Sequence, residues 1–408
     1  MSHHTANVTA EGHLVDSGTL SEAMDQIVRR GGTFEVLEFK LGSTNTEKSR
    51  AVLEIRAGSD KLLSNVLDHL VDLGFYTDTV GQMILKRAPK DGAAPDGFYS
   101  STNNPTEVYL SGKWRVVSKQ RMDACIVVSA DRMKSECRKL RDVKKGDWII
   151  CGHDGIRIIP EAKDRSRADF GFMASDVSSE KKVEWVVRHL VEWIRGRKGK
   201  LIVVAGPVVI HTGGVEPLSR IISGGWVDAV LAGNALAVHD VERAIYGTSL
   251  GINTDTGVPV EHGHQHHMRA INTIRLAGDL KAAVRKKVLK SGLMHSLIKH
   301  KVPYVLAGSI RDDGPLPDVI TDMNEAQEAY AKHLVGAEIV LMLSSMLHSI
   351  GVGNMLPSWV KTVCVDINPS VVTKLADRGS HQAIGCVTDV GLFLHVLADE
   401  LGSKRKRK

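Results

Sequence analysis

The segment from Ala337 onward constrains the chain most. Ala337–Leu343 (AEIVLML) is a near-continuous apolar run, the pattern of a strand buried on both faces of a parallel sheet. It passes directly into the small-residue stretch Ser344–Asn354 (SSMLHSIGVGN). A second short apolar strand, Thr362–Val365, ends in Asp366 and is followed by Asn368-Pro369. The turn Val387-Thr388-Asp389-Val390 then opens a final helix. A carboxylate at the carboxyl end of a parallel strand, beside a small-residue turn, is where a nucleotide ribose is held. The C-terminal region is therefore expected to bind a dinucleotide.

The same strand pattern recurs upstream in Lys200–Ala205, Val227–Leu231 and Val302–Ala307, with helices between, the first being Lys182–Arg195. At least five such strands predict an α/β fold with a doubly wound parallel sheet over residues 164–402. Right-handed crossovers place all the strand-end loops on one side of that sheet. Before it, strands at Thr33–Leu41 and Ser49–Ala57 and helices at Thr19–Arg30 and Lys61–Leu73 predict a small α+β domain of ferredoxin-like type. That domain and the Pro-, Gly- and Asn-rich linker 87–105 fill residues 1–105. Short strands at Val108–Leu110, Trp114–Val117, Ala124–Val128, Asp147–Cys151 and Gly155–Ile159 predict a β-rich module over 106–163. Residues 403–408 form a basic tail.

Size and composition exclude several classes. A chain of 408 residues with 43% apolar and 25% charged residues can bury a sizeable core. No apolar run reaches the roughly 20 residues a membrane span needs, and the start has neither the basic nor the apolar region of a signal peptide. The five cysteines show no CxxC spacing, which argues against a disulfide framework and a structural zinc, and for a cytoplasmic setting. The net charge is +6, of which Lys404, Arg405, Lys406, Arg407 and Lys408 supply five. With the tail set aside the protein is almost neutral, and no nucleic-acid motif accompanies it.

The strand-end loops carry the chemistry. They read Gly206–Gly214 (GPVVIHTGG), Ala232–Asp240 (AGNALAVHD) and Ala307–Pro317 (AGSIRDDGPLP). Each has glycine where the backbone turns or approaches a ligand closely, and polar groups follow at the helix starts that favour phosphate. A full GxGxxG is absent, since Gly351-Val352-Gly353 supplies only its first two glycines, which points to a variant of the dinucleotide fold. A histidine-rich run, Glu261-His262-Gly263-His264-Gln265-His266-His267, follows the polar loop Gly251–Gly257. No spacing in it matches a zinc helix, so no metal is expected. Histidine as acid, base or carboxylate partner in a substrate-facing loop fits better.

Taken together, His211-Thr212-Gly213-Gly214, Gly233–Asp240, Ala307–Asp318, Ser345–Ser349, Gly353–Pro357 and Thr388-Asp389-Val390 resemble the LOR/SDH bifunctional enzyme conserved domain proteins. That family includes archaeal NAD-dependent ornithine cyclodeaminases and the C-terminal half of cyanobacterial arginine dihydrolase/ornithine cyclodeaminase fusions. The resemblance runs from about Thr33 onward. It implies NAD as cofactor, held by Asn234, Ala235, Asp313, Ser345, Met346, Leu347, His348, Asp366, Asp389 and Val390. The order of the last strands also resembles the deoxyhypusine-synthase-like NAD-binding fold. The residues agree with this: Asp366 would take the ribose hydroxyls and repel the extra phosphate of NADP.

The resemblance implies conversion of L-ornithine to L-proline and ammonia, with hydride passed to and from bound NAD. His262, His264 or His267 would be the base, and Asp255 or Asp312 would hold a substrate ammonium. Arginine is not expected as substrate, because no arginine dihydrolase half precedes this sequence. Two other readings stay open: a net amino- or imino-acid oxidoreductase of the saccharopine/lysine-ketoglutarate reductase class, and a NAD-binding amino-acid sensor. A homo-oligomer is expected; a nucleic-acid or membrane partner is not.

Overall fold

The computed structural model describes residues 4–12, 14–15, 18–42, 47–77, 83–159, 179–249, 252–253, 266–312, 314–377 and 383–402. The chain divides into two compact units. One comprises Met1–Ala174 with Leu356–Trp359, the other Ser175–Met355 with Val360–Lys408.

The first unit opens with β1 (His4–Gly12), α1 (Thr19–Arg29), β2 (Thr33–Lys40), β3 (Ser49–Ala57), α2 (Asp60–Asp72) and β4 (Tyr76–Thr77). The strands form an antiparallel sheet in the order β2-β3-β1-β4, the split βαβ arrangement of ferredoxin-like folds. β1 carries no strand signal in sequence (HTANVTAEG), yet it lies inside the sheet and pairs with β3 along its whole length. Val8, Thr9 and Ala10 supply its buried part, and pairing overrides weak propensity. The helices close one face over Ile27, Leu53, Ile55, Leu70 and Phe75. Ser59 caps α2, its Oγ accepting from Leu62 N at 3.2 Å.

Next come β5 (Ile84–Arg87), β6 (Thr106–Leu110), β7 (Lys113–Val116), β8 (Cys125–Val128), β9 (Ser135–Arg138), β10 (Trp148–Cys151) and β11 (Ile156–Ile158). They make two antiparallel sheets, β5-β10-β8-β9 and β11-β6-β7. The stretch read as a linker after Arg87 is tied to these sheets: Phe98 bridges to Cys151 and Ser100 to Cys125. Leu356–Trp359 joins the same unit, with Ser358 fully buried and its N–H donating to Asn103 O at 2.9 Å.

The second unit runs α3 (Ser179–Gly196), β12 (Lys200–Ala205), α4 (Val208–His211), α5 (Val215–Ser223), β13 (Ala229–Gly233), α6 (Asn234–Tyr246), β14 (Thr248–Ser249), β15 (Ile252–Asn253), α7 (His266–Ala277), α8 (Leu280–Arg285), α9 (Leu293–Lys299), β16 (Tyr304–Ala307), β17 (Val319–Ile320), α10 (Met323–Leu334), β18 (Ala337–Leu343), α11 (Met346–Gly353), β19 (Lys361–Asp366), α12 (Pro369–Asp377), β20 (Ala383–Val387) and α13 (Val390–Leu401). Seven parallel strands lie in the order β17-β16-β13-β12-β18-β19-β20. β12, β13 and β18 are buried almost throughout, which explains their unbroken apolar sequences. From β12 the chain builds outward to β17, then returns to lay β18 against the other side of β12. The strand order therefore reverses between β12 and β18, and ligands bind such sheets at that point, outside the carboxyl ends of the strands.

Candidate active site

The loops leaving β12 and β18 meet at the reversal. Gly206 N donates to Leu343 O at 2.8 Å, and a Cβ on Gly206 would run into the Ser344 carbonyl oxygen. Ser344 itself takes a left-handed conformation, φ 46°, which turns the chain into α11. Ser345 Oγ lies 3.0 Å from His348 Nδ1. The His348 ring rests on the end of β13, where a Cβ on Gly233 would come within 2.7 Å of its Cε1. Burial pushes the His348 imidazole below the usual histidine range, with Asp312 pulling the other way. Helices α6 and α11 both begin at this edge with no side chain capping their N-termini. By contrast α10 and α13 are capped by Asp322 and Asp389. First-turn N–H groups left uncapped at a switch point suit a phosphate.

Asn234 is buried, and its side chain is committed: Nδ2 donates to Asp312 Oδ1 at 3.0 Å and Oδ1 accepts from Leu316 N at 3.2 Å. Asp312 also accepts from Ser309 N at 2.7 Å. This pair shapes the loop after β16. On the other side of the crevice Asp366 ends β19, with Oδ1 accepting from Asn368 N at 2.8 Å. The Asp389 side chain accepts from Leu392 N at 2.9 Å, and Val390 is buried.

A second polar group lies farther along α6. His239 and Glu242 are three residues apart and so share a face, and both are buried. Thr248 donates its hydroxyl to Glu242 Oε1 at 2.9 Å. Glu242 Oε2 faces two imidazoles, His239 Nδ1 at 3.9 Å and His267 Nδ1 at 3.6 Å. Ser249 Oγ lies 3.3 Å from His239 Nδ1. The ring of His211, from the end of α4, packs edge-on to His239 with centroids 4.9 Å apart, and His239 lies 5.2 Å from His267. Burial, then His239, push His211 below the usual histidine range. His266 stacks on Tyr246 at 4.7 Å, and its Nδ1 lies 2.9 Å from the Thr248 hydroxyl. Imidazoles from three helices, His211 on α4, His239 on α6 and His267 on α7, thus gather beside the buried carboxylate of Glu242.

Asp240 has a different task. It is fully buried and accepts from Leu293 N and Met294 N, each at 2.7 Å, fixing the start of α9. Burial pushes its carboxyl up to about 6 despite those two donors. An acid with a folded-state pKa above its unfolded value holds its proton more tightly when native, so stability falls as pH rises through that window. Against Asp240→Asn, the wild type is expected to lose about 1 kcal/mol between pH 5 and 7.5, measured by urea unfolding.

Comparison with known proteins decides the family. Residues 186–397 match the arginine dihydrolase ArgZ-like C-terminal Rossmann fold. Residues 105–187 match the first region of the same C-terminal part, and residues 5–104 match the LOR/SDH bifunctional enzyme conserved region. The chain belongs to the ArgZ-like C-terminal family. An ornithine cyclodeaminase of Methanocaldococcus jannaschii is 48% identical over 98% of this chain and 96% of its own length. The bifunctional arginine dihydrolase/ornithine cyclodeaminase AgrE of Nostoc sp. is 50% identical over 97% of this chain, which spans 58% of AgrE. A crystal structure of AgrE in ternary complex with ornithine and NAD+ superposes over 98% of this chain and 57% of its own, with TM-score 0.53 and 48% identity. Apo ArgZ, a cyanobacterial arginine dihydrolase, superposes over 98% of this chain and 58% of its own, with TM-score 0.84 and 43% identity.

In this ArgZ-like chain the fold brings Asn234, Ala235, Ser345, Met346, Leu347, His348 and Asp366 to one sheet edge, at the ends of β13, β18 and β19. Asp389 and Val390 follow at the end of β20. Asp255, His262, His264 and Asp313 lie outside the described residues. His267 is described, and its partners His239 and Glu242 come from α6 rather than from its own run. Glu242 was not expected. The signal available was its i,i+3 spacing from a histidine on a helix that starts at a strand end.

Proposed function

We propose that this chain is an NAD-dependent ornithine cyclodeaminase, converting L-ornithine to L-proline and ammonia. The observation that carries the reading is the pairing, on one sheet edge, of a dinucleotide crevice with the Glu242-centred histidine cluster on the helix leaving that edge. His239 lies five residues beyond Asn234, about 7 Å along the helix axis. The relatives whose names record ornithine supply the substrate.

The residues fit NAD. Uncapped N-termini of α6 and α11 suit its pyrophosphate. Gly206 and Gly233 keep the crevice free of side chains where Cβ atoms would strike Ser344 and His348. Asp366 suits a ribose diol and disfavours a 2′-phosphate by charge. Met346, Leu347, Ala235, Asp389 and Val390 line the same edge, and Asp313 follows Asp312 in its loop. Bound NAD supplies a hydride acceptor and donor within one turnover, so ornithine loses ammonia with no net redox change. The chain's own groups handle charge and protons. Glu242 Oε2, 3.6 Å from Nδ1 of His267, stabilises the imidazolium by charge, while His267 accepts a proton from the substrate ammonium at Nε2. His262, His264 and Asp255 precede His267 in the same segment and stay within the proposal as further contributors. Asp312 acts through Asn234, by shaping the crevice wall.

Asp366→Ala is expected to weaken NAD at least about tenfold and to narrow its preference over NADP, read by equilibrium binding of both. The decisive test is a mass-spectrometric time course with L-ornithine and substoichiometric NAD+. Proline and ammonia well beyond the NAD+ added support the reading. Product stopping at one equivalent, with NADH left over, overturns it in favour of a net oxidoreductase. Tight NAD binding with no turnover favours a sensor.

The domain boundaries at residues 105 and 163 belong to the same proposal, as does a homo-oligomer. Ile310, Leu347 and Ile367 are large apolar side chains left exposed around the strand ends, a rim that a second copy would cover. No described helix is long and apolar enough to cross a membrane. The five cysteines are free and buried, which fits a reducing cytoplasm.

A further inference from the structure

Three donor groups in the cluster come together from two helices: His239 and Glu242 on α6 and His267 on α7. One ligand atom from each lies within 4.8 Å of the others. Two donors on one tetrahedral zinc, each bound at about 2.0–2.1 Å, stand about 3.3 Å apart. The separations are 3.6 Å for His267 Nδ1 to Glu242 Oε2 and 3.9 Å for His239 Nδ1 to Glu242 Oε2, with all three donors within 4.8 Å, so the side chains must draw together to close on an ion.

Two independent features support a site built for a cation. First, Glu242 Oε1 is held by the Thr248 hydroxyl at 2.9 Å, which leaves Oε2 directed at both imidazoles. An outer hydrogen bond that orients a ligating carboxylate is typical of metal centres. Second, His267 Nδ1 is buried and has no hydrogen-bond partner among the described residues. A buried ring nitrogen 3.6 Å from a carboxylate oxygen, beyond hydrogen-bond reach, is an unsatisfied group that a shared ion would satisfy. Two imidazoles and one carboxylate are also the donor set of zinc sites that keep one position open. The spacing within Glu261–His267 pointed away from metal because the other two donors lie on a different helix.

We propose that His239, Glu242 and His267 bind one divalent transition-metal ion of the zinc class, and that an ion held there blocks turnover. The second half rests on the proton-accepting role proposed for His267. A ring locked into a metal centre and paired with a neutralised carboxylate no longer accepts a substrate proton. The site is empty in this structure. Metal occupancy and ornithine turnover are then mutually exclusive states of one cluster.

The test uses the full chain with NAD bound, stripped of metal by a chelator. Co2+ is the probe, because tetrahedral Co2+ with nitrogen and oxygen ligands absorbs visibly. The expected result is a saturable visible band at one Co2+ per chain, abolished by one equivalent of Zn2+. In His267→Asn, whose site is partly exposed, affinity is expected to fall about 100-fold or more. His239→Asn serves as the second variant, with circular dichroism confirming the fold of each. The absence of a saturable band, or an affinity in both variants equal to that of the wild type, overturns the site. Turnover in the wild type is expected to fall at least about tenfold with one equivalent of Zn2+ and to return with EDTA. Turnover that is unchanged or raised by Zn2+ overturns the blocking role. A metal-free protein that binds Co2+ at the site but never turns over ornithine overturns the proposed activity and leaves the metal site standing.

Discussion

His267→Asn is expected to lower kcat for ornithine by about 10²–10⁴-fold, the usual contribution of a positioned proton acceptor. NAD affinity should stay within about threefold, because His267 belongs to α7 and the proposed cofactor groups lie at the strand ends. Glu242→Gln tests the same unit from its other member. It keeps the volume and the Thr248 contact but removes the charge that stabilises an imidazolium. The loss should be close to that of His267→Asn, and the double variant should lose little more, since groups acting as a unit are far from additive. Steady-state kinetics with a fluorescence measure of NAD binding decides it. A kcat within threefold of wild type in His267→Asn would remove His267 from the mechanism.

Gly206→Ala is expected to damage both stability and cofactor binding. The new Cβ meets the Ser344 carbonyl oxygen, which is backbone and has no rotamer to escape into. Ser344 is fixed in turn by its N–H bond to Val365 O at 2.9 Å and by its left-handed conformation. β12 and β18 are paired in register up to Ala205 and Leu343, so relief requires the ends of two central strands to part. Such overpacking costs about 1–3 kcal/mol, or a fall in Tm of several degrees for a unit of this size. Because the strain falls at the mouth of the crevice, NAD affinity should drop at least about tenfold. Gly351→Ala is the control. It lies in α11 with nothing within 4 Å of the added Cβ, and it should be neutral or stabilising by about 0.5–1 kcal/mol. Differential scanning calorimetry and NAD titration separate the two. Equal behaviour would show that the approach of the two loops is unimportant.

How much of this was legible depended on whether a residue's environment was set locally. Lys200–Ala205 and Ala337–Leu343 were read to the residue, because a strand covered on both faces must be apolar along its whole length. The turn that opens α13 at Asp389 and the carboxylate ending β19 were equally visible, since both obey short-range rules. The edge strands β17 and β20 were missed; two residues, or five with only two fully buried, carry little pattern. β1 was missed for another reason: its place is fixed by pairing with β3, a long-range fact. The histidine cluster was half visible. His267 stood out by composition, but Glu242 looks like any glutamate on a helix surface, and only the packing of α7 and β14 against that face makes it a fully buried carboxylate. Asp240, two residues before it in a polar run, proved to be an anchor for α9.

The four residues Leu356–Trp359 have a consequence for how the protein is made and taken apart. They follow α11 and precede β19, yet they belong with the first unit, where Ser358 closes a hydrogen bond onto Asn103. No single cut of the chain can yield both units whole. During synthesis, at roughly 5–20 residues per second, the first unit waits many seconds after its own strands have emerged for the piece that completes it. A fragment ending before residue 356 therefore lacks its last stitch, and one starting at residue 175 carries a buried-type segment with nothing to receive it. The two units are interleaved in sequence.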